Sequence, residues 1–61
     1  MYRRLTALLR EASCRFERQG KGSHEIWHSP LTQRTFTVAR NIRNPVLANA
    51  ILRQAGLLKA F

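Results

Sequence analysis

The stretch 24-HEIWH-28 decides how this chain folds. On a helix, two histidines four apart with a glutamate between them are the H-E-x-x-H arrangement that holds zinc and its polarised water in metalloproteases. On a strand the same residues mean something else. Gly22-Ser23 precede the segment and Ser29-Pro30 follow it, proline pushes its predecessor out of the α region, and Ile26 and Trp27 favour extended backbone. The segment therefore predicts a strand, with Glu25 and Trp27 on one face and His24, Ile26 and His28 on the other. Along a strand, histidines four apart are separated by roughly 13 Å, too far for two ~2.1 Å bonds to one ion. A zinc protease is excluded on geometry, and no third ligand has supporting spacing.

Working outward, the segment 19-QGKGS-23 carries two glycines and small polar residues, the composition of a turn. Before it, from Cys14, the period is two: Cys14, Phe16 and Arg18 fall on one side, Arg15 and Glu17 on the other. This is a first strand, joined to the second as a hairpin. After it, 29-SPLTQ-33 interrupts, and 34-RTFTV-38 alternates again with Phe36 and Val38 inward. Three antiparallel strands follow.

Leu5, Leu8, Leu9 and Ala12 recur at helical spacing, which predicts a first helix from about Tyr2 to Ala12. Beyond the polar connection 39–43, Asn44-Pro45 supplies an N-cap and a proline at the first helical position. Leu47, Ile51, Leu52 and Ala55 form the apolar face of a last helix, and Gly56 stops it. The expected fold class is α+β: one small α-β-β-β-α domain spanning 1–61, a three-stranded antiparallel sheet with two helices on one face. Trp27, Phe36 and Cys14 are expected in its core.

Nine Arg and two Lys stand against three Glu and no Asp, a formal net charge of +8 in 61 residues. Such a balance implies a polyanion partner, and the excess of Arg favours phosphate forks and base stacking. So few carboxylates speak against Mg²⁺-dependent nuclease chemistry. No cofactor or metal is expected. A lone Cys14 forms no internal disulfide, and no run approaches the ~20 apolar residues of a membrane span. The expected location is cytoplasmic.

Metal-free RNA cleavage needs a proton acceptor for the 2′-OH, a donor for the departing 5′-oxygen and positive charge on the phosphorane. Histidine suits the proton transfers because its ordinary pKa, about 6.5, lies near working pH. His24 follows a glycine turn carrying Lys21, with Arg18 and Arg34 on the neighbouring strands. The turn also leaves backbone N–H groups available for phosphate oxygens. His28 is at most a helper, Glu25 has no assigned chemistry, and a plain surface role for His24 stays open.

At 22-GSH-24 the chain resembles the HicA toxin family of bacterial type II toxin–antitoxin systems. The resemblance extends to the leucine-bearing first helix, Arg18-Gln19, Trp27 three positions after the histidine, Pro30, the strand RTFTV and the ending 51-ILRQAGL-57. It implies a fold related to double-stranded-RNA-binding domains and a metal-independent mRNA endoribonuclease that inhibits translation and growth. It further implies neutralisation by a HicB-type antitoxin in a hetero-oligomeric complex, which reaches operator DNA only through the antitoxin. The family's catalytic histidine falls on His24; from their charge, their turn amides and their position around it, Arg18, Lys21, Gly22, Ser23, Arg34 and Arg40 are the RNA-binding candidates. A non-catalytic RNA-binding module, or an adaptor for an acidic protein, remains the alternative.

Overall fold

The computed structural model describes residues 1–61 in the order α1 (Tyr2–Glu11), β1 (Arg15–Gln19), β2 (His24–Ser29), β3 (Arg34–Ala39) and α2 (Pro45–Gln54). The strands form one antiparallel sheet in the order β1-β2-β3, so β2 is central. The expected α-β-β-β-α fold is the observed one. HEIWH is extended over its whole length, and the helix that a zinc site would require does not exist.

Alternation on β2 assigns the two faces. Glu25, Trp27 and Ser29 are buried, and their neighbours Phe36 and Val38 on β3 are buried with them. Trp27, Phe36 and Val38 share one core with Leu5 and Leu9 of α1, with Ala48, Ile51 and Leu52 of α2 and with Ala55 at its C-cap. Both helices therefore cover the same side of the sheet. The other side, carrying His24, Ile26 and His28, is left open to solvent. Cys14 is buried as expected, and Trp27 is fully enclosed.

Both helices stop in the same way. In α2 the Gly56 N–H donates to the Arg53 carbonyl and the Leu57 N–H to the Leu52 carbonyl, with Gly56 at φ 89°. In α1 the Ser13 N–H donates to Arg10 and the Cys14 N–H to Leu9, with Ser13 at φ 68°. These are Schellman caps, which need a left-handed residue just past the helix. Gly56 meets that need at no steric cost, and a Cβ there would also lie 3.1 Å from Leu31 Cβ. Ser13 meets it with a side chain in place. The end of α2 is further tied to the sheet by Ser29, whose buried hydroxyl donates to the Ala55 carbonyl at 2.6 Å. At its start, the Asn44 side chain accepts from the Val46 N–H at 2.7 Å, as the Asn-Pro pair predicted.

Two expectations are corrected. Leu47 is 57% exposed, because the buried stripe of α2 is Ala48, Ile51 and Leu52, continued by Ala55 at the cap, and Leu47 precedes it by one position, about 100° around the helix. Arg18 does not share a face with Phe16. Phe16 pairs with Trp27 but Arg18 pairs with Ile26, so Glu17 is an extra residue and the strand bulges. A bulge resets the alternation. Arg18 is thereby turned onto the open face, where Arg15 stands opposite His28.

Candidate functional site

His24 is the first residue of the central strand, and its backbone is held from three directions. Its N–H donates to the Lys21 carbonyl at 3.0 Å, while its carbonyl accepts from the Gly20 N–H at 2.9 Å and from Gln19 Nε2 at 2.9 Å. Gln19 Nε2 also donates to the Gly22 carbonyl at 2.9 Å, so one amide fastens both ends of the turn. The glycines are needed for different reasons. Gly22 sits at φ 61°, a left-handed conformation, and a Cβ on Gly20 would lie 3.1 Å from the His24 carbonyl oxygen. The preceding residue is fixed from β3: the Arg40 N–H donates to the Ser23 carbonyl at 2.9 Å, and Ser23 Oγ contacts Asn41 Oδ1 at 3.4 Å. The imidazole itself is exposed on the open face. A hydrogen-bonded backbone thus presents a solvent-accessible imidazole, a group able to take up or release a proton.

The N–H groups of Lys21, Gly22 and Ser23 have no backbone acceptor. Free amides in a turn that contains a left-handed glycine are hydrogen-bond donors available to an anion. Lys21 adds a full charge to the same turn, and Arg18 approaches from β1 on the same face as His24. These groups the fold brings together.

It does not bring all of the sequence-derived candidates there. Arg34 pairs with Ser29 at the far end of β3, whereas His24 pairs with Ala39; five residues of strand put Arg34 about 17 Å from His24. Arg40 follows Ala39 and turns to the helix side, where its Nε lies 3.7 Å from Glu25 Oε2. In their place stands Arg43, which sequence reading did not select. It lines a cleft of about 280 Å³ that opens beside His24 between the edge of β3 and α2, together with Thr37, Ala39, Asn41, Leu47 and Gln54. No local pattern marks Arg43; only the packing of α2 against β3 places it.

Glu25, to which the sequence assigned no chemistry, is structural. Its carboxylate is buried under the helices, and Oε1 accepts from the Tyr2 hydroxyl at 2.7 Å and from Trp27 Nε1 at 2.9 Å. Burial, then the hydrogen bond to Glu25 and the charge of that carboxylate, raise the Tyr2 pKa above its ordinary range; Arg40 and Arg10 oppose the shift. The indole is completed by the Arg10 guanidinium 5.1 Å from its ring and by Phe16 edge-on at 6.3 Å. Trp27 is thus a core residue and no platform for bases. His28 is half-buried beside Arg15 and Thr35, with Nδ1 enclosed and lacking a hydrogen-bond partner.

No three His, Cys, Asp or Glu side chains converge anywhere in the fold, and no helix is long and apolar enough to cross a membrane. What the site assembles is an imidazole, free amides and cations. Comparison with curated proteins and with solved structures gives no match. The family model described as the HicA toxin of bacterial toxin–antitoxin systems matches residues 2–57, from the first residue of α1 through the cap of α2 and including every group described at His24. Since that match covers nearly all of the 61 residues, the chain belongs to the HicA toxin family, whose members act as the toxin of a toxin–antitoxin pair and have a cognate antitoxin as partner.

Proposed function

We propose that this HicA-family toxin is a metal-independent mRNA endoribonuclease in which His24 transfers the proton and the turn before it holds the phosphate. The observation that carries the reading is the state of His24: a backbone pinned by three hydrogen bonds and an imidazole open to solvent, beside three unengaged amides. In the reaction the 2′-oxygen bonds to phosphorus as the bond from phosphorus to the 5′-oxygen breaks. The products are a 2′,3′-cyclic phosphate and a 5′-hydroxyl, and one proton passes from the first oxygen to the second. His24 is the group that moves it. The negative charge gathering on the phosphorane is met by the N–H groups of Lys21, Gly22 and Ser23, by the Lys21 ammonium and by Arg18.

The carboxylates support the metal-independent assignment through where they stand: Glu25 is occupied with Tyr2 and Trp27 on the helix side, and Glu11 and Glu17 are exposed on other elements. Arg34 and Arg40 lie away from His24 and serve flanking phosphates. The substrate is mRNA, and the outcome is arrest of translation and growth in the cytoplasm. A HicB-type antitoxin neutralises the toxin in a hetero-oligomeric complex, by covering the open face around His24, and carries any contact with operator DNA.

The test is total-RNA integrity after induction of the wild type and of His24→Ala. A positioned acid/base contributes ~10² to 10⁴ in rate, so the variant should leave mRNA intact while folding normally. Equal growth arrest and equal mRNA loss from the two proteins would remove His24 from the chemistry. Salt-dependent RNA binding without cleavage products in either would instead identify a binding module.

A further inference from the structure

We infer that the cleft beside His24 is a base-reading subsite, which takes one unpaired nucleobase next to the scissile phosphate; this rests on the ribonuclease reading of His24. The cleft is about 280 Å³, and His24 stands on its lining, so an occupant lies against the reacting group. Its walls are of two kinds. Leu47, Ala39 and Ile42 are apolar, whereas Thr37, Asn41 and Gln54 are polar. Apolar walls with a few placed hydrogen-bonding groups are the composition of sites for flat organic groups, and ill-suited to a bare phosphate.

The polar groups are free to read an edge. Asn41 Oδ1 accepts from Ser23 Oγ while its amide nitrogen has no partner, and the side chains of Thr37 and Gln54 make no hydrogen bond within the protein. Amides offer a donor and an acceptor together, the combination that discriminates base edges. Arg43, on the same lining, presents a planar guanidinium on which a base can stack. Leu47 supplies the remaining observation. It is an apolar side chain left 57% exposed on the helix side of the cleft, although the core has no place for it. A base laid against it covers that surface. The formal charge of +8 makes a nucleic acid the occupant that this surface attracts.

The experiment is cleavage of a synthetic single-stranded RNA pool, randomised around the cut, by the full chain and by Gln54→Ala and Leu47→Ala. Both positions are exposed, so the substitutions leave the core untouched. The wild type should prefer one base at a position adjoining the cut; Gln54→Ala should lower that preference roughly tenfold, the scale of one lost base-edge contact, whereas Leu47→Ala, which removes only apolar cover, should weaken binding of all bases alike. A second readout needs no cleavage: an oligonucleotide with a 2′-deoxy sugar at the cut should shift the side-chain amide resonances of Gln54 and Asn41 in a ¹⁵N spectrum. The two readings fail separately. RNA cut with the same preference by all three proteins, and no amide shift, overturns the subsite and leaves the ribonuclease standing. Shifted amides in a chain that never cuts RNA keep the subsite and overturn the ribonuclease. Variants that escape the antitoxin yet keep the wild-type base preference would assign the cleft to the antitoxin and overturn the proposal.

Discussion

Replacing Glu25 by alanine and by glutamine separates two roles that the wild-type carboxylate combines. In Glu25→Ala both donors lose their acceptor. Trp27 Nε1 is enclosed, so its N–H stays unsatisfied; a hydrogen bond to a charged acceptor is worth about 1.5–3 kcal/mol. The Tyr2 hydroxyl is half-buried and can turn to water, so its loss is nearer 1 kcal/mol. Removal of the carboxylate also relieves its own desolvation, which keeps the total near 3 kcal/mol. For a domain of this size each kcal/mol moves Tm by roughly 4–8 °C, so the expected drop is about 12–24 °C. Glu25→Gln retains an oxygen acceptor and loses the Arg40 pair, which contributes little at 3.7 Å with Arg40 62% exposed. Its cost should be about 1 kcal/mol. Urea and thermal unfolding of the three proteins provide the comparison, with RNA cleavage measured on the folded fraction, which should survive because Glu25 faces away from His24. Equal destabilisation by both substitutions would show that charge, and not acceptor geometry, is what the core requires.

Three other outcomes are expected. The raised Tyr2 pKa means that the folded state holds the phenolic proton more tightly than the unfolded one, so its contribution is intact below about pH 10 and is lost as pH rises through the folded value; Tyr2→Phe should flatten stability in that alkaline range, read by urea midpoints against pH. Ser13→Gly should raise stability by about 0.5–1 kcal/mol by removing the left-handed strain at φ 68°, and a fall in the urea midpoint would contradict the cap assignment. Arg18→Ala should weaken RNA binding and reduce the slope of log affinity against log salt by about 1, whereas an unchanged slope would take Arg18 off the phosphate path.

The elements were legible because their signals are local. The flanks of HEIWH declare an extended segment, Asn44-Pro45 declares a helix start, and Gly56 an end. The bulge was not legible: in RFERQ only Phe16 is apolar, so nothing in the alternation shows that Glu17 is counted twice against β2. Leu47 misled because it stands four before Ile51, a spacing that fits the buried stripe as well as its rim. At the candidate site, His24, Lys21 and Arg18 come from one hairpin, and neighbours along the chain became neighbours in space. Arg43 and the hub at Glu25 depend on contacts between distant elements, Tyr2 lying 23 positions from Glu25. Such partners have no period or spacing to betray them.

The bulge at Glu17 has a bearing on self-association. β1 is an outer strand of a small sheet, and its five residues are all exposed. An unbroken outer strand offers a regular row of unpaired backbone donors and acceptors to any other chain. Here the row is interrupted after two residues, and Arg15, Glu17 and Arg18 surround the break. A second copy arriving edge to edge would find its ladder out of step and its like charges opposed. The residue that turns Arg18 onto the open face also makes this margin of the molecule a poor template for aggregation.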